Sequence, residues 1–340
     1  MDSVSQAALG AAVGVVVMGR QRPVWQSALT GALVGTLPDL DVFIDKGDAI
    51  RDMVLHRAET HAYLYQLIAS PLIAFGLALL TGSRELFLRW WLMVLLGLFT
   101  HTLLDSLTVY GTRVWLPFDD RPVGQGSLFI IDPLYTLPLL LGLLLTGLTR
   151  GPARRRWATW GLALSTLYAG WSVAAQAHVT AKVMATPEAA GLEPSEVLVT
   201  PTPFNTLLWR IVLREEDSYR EGFYSLFDPL VAPGRGMRFR EHDRGGRYEA
   251  KTAGFEGANM IRDFSRGFYA LADDGRYASI TALRLGLHPF YSFSFAFAEH
   301  QSEPLGEIEP IRRARRMPWN PGIAWLQQRV LGKDVDPPAG

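Results

Sequence analysis

The chain has 340 residues, 49% hydrophobic and only 19% charged, with a formal net charge of zero and no cysteine. A soluble domain usually carries nearer a quarter charged residues, so this balance and the positive mean hydropathy lean towards a membrane protein. Neutrality removes the basis for nucleic-acid binding through a basic surface, and the lack of cysteine excludes thiolate metal sites, disulfides and cysteine nucleophiles.

Six apolar segments precede residue 180, at about 4–19, 23–37, 62–81, 86–105, 133–149 and 157–177. A full span needs roughly 20 residues for a hydrocarbon core about 30 Å thick, a length the last four approach. The first pair is short and rich in Gly and Ala, which predicts a tightly packed or partly re-entrant hairpin. The opening MDSVSQAALGAAVGVVVMGR lacks the basic leader of a secretory signal, so it reads as a membrane helix that is kept. Pro71 should kink the third segment, and Asp132 before Pro133 reads as an N-cap with proline at the first helical position.

From about residue 195 the pattern changes to period-two alternation with aromatic and β-branched residues, in VLVTPTPFNTLLWRIVLREEDSYREGFYSLFD, RYASITALRLG and FYSFSFAFAEH. Turn chemistry in GRGM, DRGG, DDG and LHP separates these runs. The expected organisation is an α-helical membrane domain over 1–180, a β-rich extramembrane domain over 195–312 and a loose tail over 313–340. Tyr291, Phe293, Phe295 and Phe297 alternate, so their rings are expected on one sheet face.

Arginines mark one set of loops: Arg20 and Arg22, then Arg84 with Arg89 just beyond, then Arg150 and Arg154 to Arg156. If all six segments cross, these loops share a side, and their charge makes it cytoplasmic. The remaining loops and the C-terminal domain are then extracytoplasmic, in a multi-pass membrane protein.

Those remaining loops carry the chemistry. PDLD (38–41), HRAETH (56–61) and HTLLD (101–105) supply Asp39, Asp41, His56, His61, His101 and Asp105, donors suited to Zn²⁺ or Mn²⁺. Ionisable groups at membrane depth are costly and mark functional sites. His101 and Asp105 are four apart and share a helix face, although a plain His–Asp hydrogen bond would also account for them. His56 and His61 would lie about 140° out of phase on a continuous helix, so both reach one ion only if the chain turns between them. Thr60 is a candidate N-cap for the third helix. Six donors suit a two-ion site with a bridging carboxylate; three or four suit a single ion, with a carboxylate left as general base. The candidate catalytic residues are Asp41, Arg57 and Asp105. Arg57 would face a substrate phosphate, or else orient a ligand by contacting Asp39 or Asp45. Glu59 reads as a solvated carboxylate, Asp132 as a cap, and His178, His242, His288 and His300 as surface or local hydrogen-bonding residues.

PDLD, then HR-x-x-TH, then H-x-x-x-D-x-x-T-x-YG-T with LPF soon after, closely resemble the bacterial inner-membrane family of YdjM-like metal-dependent hydrolases. IDPLYTLPLL (131–140), PTPFNTLLWRIV (201–212) and GFYSLFD (222–228) resemble later blocks of its longer members, so the resemblance covers most of the chain. It implies a metal-dependent hydrolase with Asp39, Asp41, His56, His61, His101 and Asp105 as ligands and Tyr110 and Thr112 supporting them. Ala62 stands where the family pattern has serine, which removes at most a supporting hydrogen bond.

The resulting expectation is an integral membrane hydrolase holding one or two divalent ions at the outer membrane–water interface. A metal-activated water would attack a phosphoester or acyl centre of a small or lipid-like substrate, with membrane lipid as the partner. The rival from another class is a non-catalytic scaffold or regulator whose His/Asp cluster is structural. Transport is disfavoured, because no charged residue falls mid-way along the third, fifth or sixth segment.

Overall fold

The computed structural model describes residues 1–151, 153–234, 236–300 and 305–339. Its first seven helices are α1 (Ser3–Met18), α2 (Val24–Thr36), α3 (Ala49–Leu55), α4 (Tyr63–Leu80), α5 (Phe87–Ser106), α6 (Pro133–Leu148) and α7 (Arg155–Met184). The chain divides into two compact units. One comprises Met1–Ile44, Arg57–Ala174 and Pro203–Asn205; the other comprises Asp45–His56, Ala175–Thr202 and Thr206–Gly340. The loop 45–56 with α3 therefore groups with the C-terminal region, which the expected boundaries near 180 and 195 did not anticipate.

In the first unit, α1 and α2 form a hairpin whose seam is glycine. A Cβ on Gly31 would lie 2.2 Å from the Gly10 carbonyl oxygen, and one on Gly14 would lie 2.1 Å from that of Ser27. The two backbones touch, as small residues allow in an apolar environment where shape rather than water exclusion drives helix pairing. Around α1 two apolar clusters form. Leu9 and Val13 pack with Leu104, Leu128 and Leu139, while Met18 and Val34 pack with Trp90, Met93 and Leu98. Asp132 accepts from the Leu134 amide and Tyr168 hydroxyl, the capping role expected of it.

Among the described residues two helical stretches are long and apolar enough to cross a membrane, Tyr63–Leu80 and Arg84–Ser106, rather than six. Only 22% and 39% of these stretches is buried, whereas a soluble core helix would be mostly covered. The physical reasons for the shortfall differ. At 16 residues, α1 and α6 reach about 24 Å, and α2 is shorter still at 13. α7 has 30 residues, but Trp, Thr, Ser and Gly dilute its apolar ones.

The second unit is β-rich. Strands β1 (Val197–Pro201), β2 (Leu208–Arg214), β3 (Ser218–Ser225) and β4 (Phe239–Asp243) form one antiparallel sheet in that order. β5 (Tyr269–Asp273), β6 (Tyr277–Ala282), β9 (Ser294–Glu299) and β10 (Gly306–Arg312) form another in the order β10-β9-β6-β5, and β7 (Gly286–Leu287) pairs with β8 (Phe290–Tyr291). Period-two alternation sends Trp209, Ile211 and Leu213 to one face, against Ala175, Val179 and Val183 of α7. It sends Val212 and Tyr219 to the other, against Leu283 and Tyr291. The aromatic run breaks between β8 and β9: Phe295 and Phe297 are each buried on β9, while Tyr291 on β8 packs with Val212, Tyr219 and Leu283.

Shorter helices α8 (Asp228–Val231), α9 (Glu249–Thr252) and α10 (Glu256–Ser265) fill the connections. The segment expected as a loose tail instead forms α11 (Trp319–Val330), because Trp325 packs with Leu208 and Phe290 and Arg329 makes a two-pronged bond to buried Asp228 at 2.6 and 2.7 Å.

The glycine seam yields a test. Gly31→Ala should destabilise the protein by about 1–3 kcal/mol, since its methyl meets backbone rather than a movable side chain. Gly76→Ala, whose Cβ would meet nothing within 4 Å, should be neutral or slightly stabilising. Equal melting temperatures for the two variants in detergent would refute the seam.

Candidate metal centre

Three short pieces of chain deliver the site. The 3₁₀ turn Pro38–Phe43 that follows α2 carries Asp39 and Asp41. A second 3₁₀ turn, Glu59–His61, places His61 just ahead of α4. The last turns of α5 bring His101 and Asp105, four apart and on one face as expected. One ligand atom from each of Asp39, His61, His101 and Asp105 falls within 4.8 Å of the others. His61, His101 and Asp105 are fully buried, and Asp39 is 19% exposed, so Asp39 is the open side of the group.

Hydrogen bonding decides which imidazole nitrogens face the centre. His101 Nδ1 lies 2.6 Å from the Gly35 carbonyl oxygen, which can only accept, so Nδ1 carries the proton and Nε2 the lone pair. Thr60 donates its hydroxyl hydrogen to Asp41 Oδ2 at 3.1 Å, so it accepts from His61 Nδ1 at 2.9 Å, and the His61 lone pair is also on Nε2. The two Nε2 atoms stand 3.1 Å apart. Two facing lone pairs repel unless a cation, either a proton or a metal ion, lies between them.

The oxygens fit the same conclusion. Asp39 Oδ1 and Asp105 Oδ2 are buried and have no hydrogen-bond partner. Asp39 Oδ1 lies 3.4 and 3.6 Å from the two Nε2 atoms, and Asp105 Oδ2 lies 3.4 and 3.5 Å from them. Two imidazole nitrogens and two carboxylate oxygens with unused lone pairs converging on one point are a donor set for Zn²⁺ or Mn²⁺.

Two residues expected as ligands stand elsewhere. Asp41 accepts the Arg57 amide at 2.9 Å and the Thr60 hydroxyl, so it fixes the His61 tautomer from behind. His56 caps the C-terminus of α3 and belongs to the other compact unit. The chain does turn between His56 and His61, through Arg57 at φ +63°, but the turn does not bring His56 into the group. The two-ion reading needed all six donors, and the described residues assemble one group of four.

Arg57 faces neither Asp39 nor Asp45. Its Nε lies 3.1 Å from Asp105 Oδ2, too poorly aligned for a hydrogen bond, and its Nη1 donates to Thr108 at 3.3 Å. Its guanidinium sits over the Tyr110 ring, 5.0 Å from the centroid. Thr112 instead pairs through its backbone with Val123, and its buried hydroxyl has no partner. Thr60 is not the N-cap of α4; that position is Ala62. The four discounted histidines stay outside: His242 stacks on His288 at 3.9 Å, His300 bonds Asp273 at 2.9 Å, and His178 is exposed on α7.

Sequence reading missed the supports. Gln6 on α1 donates to Asp105 Oδ1 at 2.9 Å, which also accepts from the Met1 amino group. Gln66 on α4 donates to the Thr60 carbonyl at 2.9 Å and to Thr102 at 2.7 Å. The available signal was a glutamine inside each apolar helix, where a polar side chain needs a partner.

A helical membrane domain carrying a buried His/Asp group able to bind a metal ion defines the class to which this protein belongs. A family model described as YdjM inner membrane protein matches residues 1–179, and the chain belongs to that family. No curated protein and no solved structure matches it.

Alanine at Asp39, His61, His101 or Asp105 should lower divalent-metal affinity about a hundredfold, and Asp41→Ala about tenfold, as loss of an outer partner does. His56→Ala and His300→Ala should change nothing. Metal content of the purified variants by elemental analysis is the check; equal content in all seven would refute the assignment.

Proposed function

We propose that this protein is a metal-dependent hydrolase of the inner membrane whose single divalent ion is held by Asp39, His61, His101 and Asp105. The observation that carries this reading is the pair of imidazole Nε2 atoms, 3.1 Å apart, beside two buried carboxylate oxygens without hydrogen-bond partners. A bound ion would supply Lewis acidity towards a phosphoryl or acyl oxygen. The chain's own residues do the rest. Gly35 and Thr60 hold the imidazole tautomers, and Asp41 keeps Thr60 turned to do so. Asp41 is thereby occupied as an orienting group and is not the general base. Arg57 balances the buried carboxylates and offers a cation to an anionic substrate.

The substrate is an amphiphile, such as a phospholipid or lipid-linked phosphate. Asp39, the least buried of the four donors, is followed by outward-facing Leu40, Val42, Phe43 and Ile44. Trp115, whose ring meets that of Tyr63 two residues beyond His61, is exposed as well. Apolar and aromatic side chains in that setting suit the water–lipid boundary.

A second reading has its own support: three of the four donors are fully buried, and structural metal sites are closed where catalytic ones keep an open position. Hydrolysis of lipid extracts by the detergent-solubilised protein separates the two. The enzyme reading expects a product that disappears with chelator and with Asp105→Ala. A metal-loaded protein that turns over neither lipid nor a small phosphoester favours the scaffold.

We infer the orientation from arginine placement, on the reading that α6 and α7 cross as well as α4 and α5. Reporters fused after Gly82 and Arg156 should register cytoplasm, and those after Asp119 and at the C-terminus the outside. A cytoplasmic signal from the C-terminal fusion would reverse it.

A further inference from the structure

Gln6 is fully buried on α1, and its amide nitrogen lies 2.9 Å from Asp105 Oδ1 and 3.3 Å from the His101 carbonyl oxygen. Both neighbours can only accept, so the amide orientation is forced. Its own oxygen is then left buried without a partner. The hydrogen bonds Gln6 makes with its side chain are therefore those of its amide nitrogen. With Oδ1 engaged by Gln6 and the Met1 amino group, Asp105 presents Oδ2 alone to His61 and His101.

We propose that Gln6 is the positioning residue that makes Asp105 a one-oxygen ligand and so sets the ion preference of the centre. The inference rests on the metal reading given above. Two imidazoles and two single carboxylate oxygens make a four-donor set, which suits an ion content with tetrahedral surroundings. Ions that prefer six oxygen-rich ligands would need Asp105 to rotate and offer both oxygens, and the Gln6 amide opposes that rotation. Gln6 thus favours Zn²⁺ over Mn²⁺ without touching the ion.

The test uses the full-length protein in detergent, loaded with Co²⁺, whose visible absorption is intense in tetrahedral surroundings and pale in octahedral ones. Wild type should give the intense band. Gln6→Met, close in shape but without the donor, should give a paler one, and its Zn²⁺-over-Mn²⁺ preference in competition should fall about tenfold, because the Met1 amino group still holds part of the carboxylate. Gln6→Asn, too short to reach Oδ1 yet still an amide, is the second variant and should behave alike. A pale wild-type band, or variants with wild-type colour and ion preference, overturns the role of Gln6 while leaving the metal centre standing. Failure of the wild-type protein to bind Co²⁺, Zn²⁺ or Mn²⁺ overturns both.

Discussion

The close approach of α1 and α2 is the constraint on which the metal centre depends. Glycines at 10, 14, 31 and 35 let two backbones touch where any side chain would hold them apart. The same contact fixes the positions of the Gly35 carbonyl, which selects the His101 tautomer, and of Gln6, which grips Asp105. Gly35 and Gln6 are themselves neighbours across the seam: a Cβ on Gly35 would lie 2.8 Å from the Gln6 carbonyl oxygen. Tightness in an apolar hairpin therefore becomes geometry in a polar site. A seam widened by one methyl group would shift two of the supports together.

The second condition is electrostatic. Burying Asp105, His61, His101 and Arg57 in one place is expensive, and breaking such a network by removing one partner is more expensive than never forming it. The unit meets the condition with short polar chains that run inward from helix ends. One passes from Asp41 through Thr60 to His61, and another runs from Thr102 through Gln66 to the Thr60 carbonyl. Arg57 takes a left-handed backbone conformation, unusual for a residue with a side chain, and its amide in that turn bonds Asp41. At its centre the network leaves Asp39 Oδ1 and Asp105 Oδ2 unmatched, beside the two imidazole Nε2 atoms.

The C-terminal unit solves a different problem with familiar means. Its first sheet buries both faces, so polar residues on it need internal partners. Arg210 bonds Glu221 at 2.6 Å and the Leu283 carbonyl at 2.7 Å, and Tyr219 bonds both Tyr291 and His288. His288 bonds Tyr219 and stacks on His242, and His300 bonds Asp273; among the described residues no second metal-binding group forms.

Local pattern by itself determined the class of each half: long apolar runs for the helices, period-two alternation for the strands, and the i, i+4 pairing of His101 with Asp105. These are legible because helix and strand periods are properties of neighbouring residues. Length alone misled, since an apolar stretch packed in a hairpin and one facing lipid look alike until their partners are known. Which donors converge was decided only by tertiary structure. Asp39 and Asp41 are two apart, and His56 and His61 lie in one motif, yet one of each pair faces the centre. The choice was made by a single left-handed turn at Arg57 and by the glycine seam, both of which depend on atoms distant in the chain. Gln6 shows the same limit: glutamine in an apolar helix announces a need for a partner, but only packing against α5 says that the partner is Asp105.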